Sequence, residues 1–142
     1  MHKHNVEMLL GFDFGLRRIG VAVGQTITQS ANPLMVLKAK GGIPTWGAIE
    51  NLLETWSIDA VVVGIPYNMD GTEQEITIAA RKFSESLHKH FNMLIHTVDE
   101  RLTTVEARHL LHTSKPLQSI WNVSVDAYAA KIILESWLKK SS

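Results

Sequence analysis

The sequence has no cysteine. That removes a disulfide framework, a thiolate nucleophile and every zinc site built on sulfur, and it suits a protein of the reducing cytoplasm. Long hydrophobic runs are missing too. Apolar stretches such as Ala60-Val61-Val62-Val63 fall far short of the roughly 20 residues that a membrane span needs. Residues 1–7 carry His2, Lys3, His4 and Glu7 rather than an apolar core, so no signal peptide and no membrane partner are expected. Nor is there an excess of either charge: 14 Lys and Arg face 14 Asp and Glu. Proteins that handle nucleic acid are usually basic, so the balance weighs against a polynucleotide partner unless the charges are unevenly placed.

What is present is ordinary globular composition. With 142 residues, 45% hydrophobic and 20% charged, the chain suits a single domain over residues 1–142 with a real core, and neither a disordered nor a fibrous protein. Strands are predicted over residues 8–14, 19–23 and 34–37, the first two joined as a hairpin by Gly15-Leu16-Arg17-Arg18. Ile49, Leu52, Leu53 and Trp56 recur at helical spacing and predict a helix over 45–57. Residues 60–64 read as a buried parallel strand, followed by a Pro-, Asn-, Asp- and Gly-rich loop.

Thr72 and Glu75 have capping-box spacing ahead of a helix to about His90, and residues 93–98 form a fifth strand. Thr103 and Glu106 repeat the box before a short helix to about His112, residues 113–122 loop around Lys115-Pro116, and residues 125–140 make the last helix. The class is α/β: a mixed five-stranded sheet flanked by helices, its first three strands antiparallel and its later strands parallel through right-handed crossovers.

Three carboxylates break this pattern. Asp13 interrupts the first apolar strand and Glu100 closes the fifth at Val98-Asp99-Glu100-Arg101, both at the C-terminal strand ends where α/β folds bind ligands. Asp126 falls on the helical wheel with Ala130, Ile133 and Trp137, opposite the polar Tyr128, Lys131, Glu135 and Lys139. Each has a local explanation: hydrogen bonds in the hairpin for Asp13, pairing with Arg101 or a helix cap for Glu100, the helix dipole for Asp126. Taken together they ask for a cation, because a carboxylate aimed at a core costs several kcal/mol unless paired or coordinated. Magnesium takes oxygen ligands of this kind, and two such ions can activate water and stabilise the leaving oxygen in a phosphoryl displacement. Metal-dependent phosphodiester hydrolysis is the chemistry expected of Asp13, Glu100 and Asp126.

Several motifs then fall into order. Gly11-Phe12-Asp13-Phe14-Gly15 with Arg18-Ile19-Gly20-Val21-Ala22-Val23-Gly24, Val63-Gly64-Ile65-Pro66 with Asn68-Met69-Asp70-Gly71-Thr72, Asp99-Glu100-Arg101-Leu102-Thr103-Thr104-Val105-Glu106-Ala107, and Asp126 before Ala129-Ala130 together resemble the YqgF/RuvX family. The resemblance spans nearly the whole chain. It implies an RNase H-like fold, an acidic triad at Asp13, Glu100 and Asp126 that binds magnesium or manganese, and processing of the 5′ end of precursor 16S ribosomal RNA. The family is also described as a Holliday junction resolvase. The chain departs from the family's pattern at residues 118–125, which hold no basic residue, Lys115 being the nearest upstream.

Arg17, Arg18 and Arg101 flank the acids and suit phosphate recognition, or are solvated surface arginines. Asn68 and Thr72 could present a phosphate site at a helix start, or form an ordinary Asp-Gly turn. Trp121 is the tryptophan placed to touch substrate, while Trp56 and Trp137 read as core. His109 and His112, and His88 and His90, lack the companions of a transition-metal site. The leading expectation is a two-metal nuclease acting on precursor 16S RNA, bare or within a ribosomal particle, as a monomer or homodimer. The alternatives are a resolvase of four-way DNA junctions, which needs paired active sites, and a non-catalytic RNA-binding assembly factor. An actin-like ATPase needs a second lobe, and a protein kinase needs a Gly-rich loop and lysine upstream of Asp13-Phe14-Gly15. With few bases to contact phosphate, binding to bare RNA is expected to be weak and its salt dependence shallow.

Overall fold

A computed structural model describes residues 6–102 and 124–140. The first apolar run becomes β1 (Met8–Asp13), which turns back into β2 (Arg18–Gln25), and β2 pairs with β3 (Ser30–Lys40). β4 (Ile43–Pro44) folds onto the end of β3. There follow α1 (Trp46–Thr55), β5 (Ala60–Ile65), α2 (Glu75–Phe91), β6 (Leu94–Asp99), a 3₁₀ turn (Glu100–Leu102) and α3 (Val125–Lys140). The sheet order is β4-β3-β2-β1-β5-β6, with β1 to β4 antiparallel and β5 and β6 parallel to β1.

The α/β class and mixed pairing are those expected, but the sheet has six strands rather than five. The extra one arises because Gly41 and Gly42 take φ of +58° and +81°, a backbone that reverses the chain within two residues. β3 outruns the predicted 34–37 in spite of Pro33, which sits opposite Ala22 where the register shifts between Val21 and Ala22. A proline without an N–H is tolerated at such an irregularity.

α2 starts later than expected. Its capping box is Gln74 with Thr77, not Thr72 with Glu75, because the Thr72 hydroxyl is donated to Asp70 at 2.6 Å. Trp56 is no core residue; it ends α1 and is 37% exposed. The predicted box at Thr103 and Glu106, the helix to His112 and Trp121 lie outside the described residues.

Strand alternation divides the apolar side chains between two faces. Leu10, Phe12, Ile19, Val21, Leu37, Val61 and Val63 meet Ile49 and Leu52 of α1 and Ala80, Phe83 and Leu87 of α2. The other face, with Leu9, Ala22, Ala31, Ala60, Val62 and Val98, is covered by Ala130, Ile133, Leu134 and Leu138 of α3. Covered on both sides, β5 is buried at all six residues. Each large side chain so enclosed contributes about 1.5–3 kcal/mol.

The α3 face is floored with glycine. A Cβ on Gly11 would lie 2.7 Å from the Leu134 Cβ, and one on Gly24 would lie 3.1 Å from Leu134 Cδ2. The helix therefore rests on bare backbone. Its buried stripe runs through Ala127, Ala130, Leu134 and Leu138, which moves Asp126 to the margin of that stripe. Glu135, expected to face solvent, instead accepts the Ala31 N–H of β3 at 3.0 Å. Among the described residues no helix is long and apolar enough to cross a membrane.

Gly11→Ala should lower stability by about 1–3 kcal/mol through overpacking. Gly47→Ala, at a helical position with nothing within 4 Å, should be neutral or stabilising by up to about 1 kcal/mol. Thermal unfolding of the two variants checks both signs.

Candidate active site

Asp13 closes β1, and its two neighbours across the sheet are both glycine. Antiparallel pairing puts Gly20 of β2 opposite it. On the other side, β5 runs parallel with Phe12 level with Val63, so the next residue, Gly64, comes alongside. Acidic residues reach both places, Glu100 sharing the one at Gly64 with Ile133, whose Cδ1 would lie 2.6 Å from a Cβ there. A Cβ on Gly20 would lie 1.9 Å from the Asp126 carbonyl oxygen, and one on Gly64 would lie 3.0 Å from Glu100 Oε2. Glycine on either side of Asp13 is thus what lets Glu100 and Asp126 approach it.

Local structure holds each acid in place. Glu100 begins the 3₁₀ turn after β6. Asp126 is in the first turn of α3, where Ser124 acts as the cap: its Oγ accepts the Asp126 N–H at 3.1 Å and its carbonyl accepts the Tyr128 N–H at 3.0 Å. Asp13 is half-buried. Desolvation first, then the negative charges of Glu100 and Asp126, hold its carboxyl well above the usual carboxylate range.

The donor set, three carboxylates of which the central one is desolvated and repelled by its neighbours, suits a hard divalent cation. Among the described residues no three His, Asp or Glu groups stand at closed ligand spacing. Asp126 Oδ2 is engaged instead by Arg18 Nε at 3.2 Å, with the Arg18 side chain 70% exposed. An ion pair this open is worth about 0–1 kcal/mol, a hold that a divalent ion would displace.

The proposed phosphate-binding residues divide into those with local partners and those without. Arg101 is held by Asp99, with Nε 3.1 Å from both carboxylate oxygens and Nη2 2.6 Å from Oδ2. It also lies 5.4 Å from the centre of the Tyr67 ring, and its Nη1 is 3.2 Å from where a Gly71 Cβ would stand. It ties the loop after β5 to the turn that carries Glu100. The contact lowers the Asp99 carboxyl and raises the Arg101 guanidinium.

Asn68 and Thr72 are bonded to each other, Nδ2 to Oγ1, at 2.8 Å, and Thr72 also donates its N–H to Asp70 at 3.0 Å. Since α2 begins beyond them at Glu75, they close a turn rather than open a helix. Arg18 is exposed beside Asp126, and Arg17 is exposed in the turn before β2. Trp121 is outside the described residues.

Among the described residues, the histidines are used locally. His90 stacks on Trp46 with ring centres 3.9 Å apart, and His96 stacks on Trp137 at 4.3 Å. Burial lowers the His96 pKa. Reading the sequence for chemistry missed Gly20, Gly64, Asp99 and Tyr67. The signal for the glycines was present, since glycine inside a β-rich run marks a close approach by another backbone.

Known proteins match this chain along most of its length. The family described as RuvX, Holliday junction resolvase, matches residues 7–140. A Coxiella burnetii protein named "Putative pre-16S rRNA nuclease" is 53% identical over 135 residues, covering 92% of each chain. A Photorhabdus laumondii protein of the same name is 50% identical over 136 residues, covering 96% of this chain and 98% of its own. Among solved structures, Thermus thermophilus RuvC in complex with a Holliday junction substrate aligns over 95% of both chains, with a TM-score of 0.58 and 15% identity. The yeast mitochondrial Holliday junction resolvase Ydc2 aligns over 92% of this chain and 77% of its own, with a TM-score of 0.56 and 10% identity. At these identities the structural likeness speaks to fold alone, and the fold is the RNase H-like one expected.

Asp13→Asn removes a charge that is repelled in the folded state. A carboxyl whose pKa rises on folding costs stability once the pH exceeds its unfolded value, and the cost fades as the pH falls. In chelator near pH 8 the variant should therefore unfold at higher temperature than the parent, and it should gain less from added magnesium or manganese. Gly20→Ala keeps all three carboxylates but forces the Asp126 backbone away, and should reduce metal-induced stabilisation as well. Calorimetric scans with and without metal read both effects.

Proposed function

This chain belongs to the RuvX family, and from that membership together with the acids gathered at Asp13 we propose that it is a cytoplasmic, divalent-metal-dependent nuclease that processes the 5′ end of precursor 16S ribosomal RNA. The carrying observation is the placement of Glu100 and Asp126 in the spaces left open by Gly64 and Gly20, on either side of Asp13. The substrate comes from the relatives, about half identical over more than nine-tenths of this chain and named for pre-16S rRNA.

Asp13, Glu100 and Asp126 would hold magnesium or manganese, with Asp13 between the other two. When bound, such ions polarise the phosphate and acidify a water molecule. Hydrolysis at this centre would join a water oxygen to phosphorus and break the bond from phosphorus to the leaving oxygen, the water giving up one proton to solvent and the leaving oxygen taking one up. Arg18, held to Asp126 by an open ion pair, would be able to turn to the phosphate. Arg101 is placed to act indirectly, since its bonds to Asp99 and its contact with Tyr67 fix the turn bearing Glu100.

A second reading is favoured by the family's description: cleavage of four-way DNA junctions. It requires two active sites and hence a stable homodimer, which sedimentation would reveal. In the third reading the protein binds RNA during ribosome assembly without cutting it.

Purified protein with magnesium should shorten a precursor 16S transcript, or the same RNA within a ribosomal particle, and chelator should stop it. Asp13→Asn should slow cleavage by about 100-fold or more, the scale on which loss of one electrostatic contact to the reacting group is felt. Equal activity of parent and variant would overturn the assignment. Preferential cutting of a four-way DNA junction would select the second reading, and binding without cutting of either substrate the third.

A further inference from the structure

Charge is segregated along this neutral chain. Residues 8–44, the stretch that forms β1 to β4, contain four bases, Arg17, Arg18, Lys38 and Lys40, and a single acid, Asp13. The remaining residues therefore carry the excess of acid. All four bases lie at the end of the sheet where β1 delivers Asp13, and the register explains why. Antiparallel pairing sets Arg18 directly opposite Lys38. The Ala39 N–H donates to the Arg17 carbonyl at 2.8 Å and the Gly42 N–H to the Leu16 carbonyl at 2.9 Å. The β1–β2 turn and the β3–β4 turn are thereby clipped together.

Alternation along the strands puts Arg18, Lys38 and Lys40 on one face, while Arg17 sits in the turn just before β2. Arg18 and Gly20 are two apart in β2, and Gly20 lies under Asp126 on the α3 face. Lys38, opposite Arg18, shares that face, and so does Lys40, about 7 Å further along β3. Moving away from Asp13 and Gly20, the next groups are Arg18 on Asp126, then Lys38, then Lys40. Like charges directly opposite in a sheet are destabilising. Lys38 and Lys40 are nevertheless exposed and, like Arg17, make no ion pair among the described residues.

Lysine can also serve to blunt an open sheet edge; that would account for Lys38 but not for Lys40, which is already paired with β4. β2 and β3 hold no aromatic residue, so this surface offers cations without a stacking platform. It suits a phosphate backbone rather than bases.

We infer that Lys38 and Lys40, with Arg17 and Arg18, form a basic track that carries the sugar-phosphate backbone of the nucleic-acid substrate from the acidic centre across β3. The identity of the polyanion rests on the nuclease reading above; the track itself rests on register and charge.

The test compares full-length Asp13→Asn protein, which binds without rapid cutting, with the same protein carrying Lys38→Gln and Lys40→Gln. Binding of labelled single-stranded RNAs of unrelated sequence is measured over a range of salt. Losing two phosphate contacts should flatten the slope of log K against log salt by about 1.4 and weaken binding equally for every sequence. In the Asp13 parent the same pair should raise KM several-fold and leave kcat unchanged. The charge-keeping pair Lys38→Arg and Lys40→Arg should restore the parental slope. Lys82→Gln with Lys89→Gln, which removes the same charge from exposed positions on α2, should change neither quantity.

An unchanged slope and KM, or an equal effect from the α2 pair, would overturn the track. If the parent cuts no substrate yet the slope falls as stated, the nuclease reading fails and the track stands.

Discussion

Everything at the acidic end of this protein depends on how closely α3 lies on the sheet. Helices ordinarily pack over a layer of side chains. Here Gly11, Gly20 and Gly24 remove that layer, so that Leu134 and the Asp126 backbone reach the strands themselves. The depth of this contact sets where the N-terminus of α3 falls, and hence whether Asp126 stands beside Asp13 or several ångströms above it. The contact leaves no slack at its two tightest points, since an added methyl group would meet the Asp126 backbone at Gly20 and the Leu134 Cβ at Gly11, neither of which can turn aside.

The price is electrostatic. Bringing Glu100 and Asp126 up to a desolvated Asp13 raises the energy of its ionised form, and the protein answers with Arg18 rather than by dispersing the acids. On the far side Arg101 is committed to Asp99. The site is thus flanked by one arginine that is loosely held and exposed and another that is locked. This asymmetry suits the exchange that the proposed function asks for, in which an internal partner gives way to a cation and a phosphate while the scaffold stays still. Segregation of charge extends the pattern, with the surplus of base on β2 and β3 and the surplus of acid elsewhere.

Much of this could be read along the chain. Strand and helix periodicities located β1, β2, β5, α1 and α3 to within a few residues, because each buries a continuous stripe or a fully apolar run, and β6 was located too although only its Val98 is buried. The three acids were visible as interruptions of those patterns. What escaped were features set by local competition for hydrogen bonds or by partners distant in sequence. Thr72 was taken by Asp70 before it could cap α2. Glu135 found the Ala31 amide over a hundred residues away, and Arg101 closed on Asp99.

The amino-acid sequence by itself determined the kind of chemistry: no thiol, no sulfur metal site, three carboxylates at the ends of elements and motifs that mark the family. It also determined the faces, since alternation along a strand cannot be changed without burying the wrong side chains. The tertiary structure decided which groups meet. The neutrality that counted against a polynucleotide partner is a property of the sum alone. Register across β1, β2, β3 and β5 turned it into an acidic centre beside a row of bases, because hydrogen-bonded strands align residues far apart in the chain to within a single position.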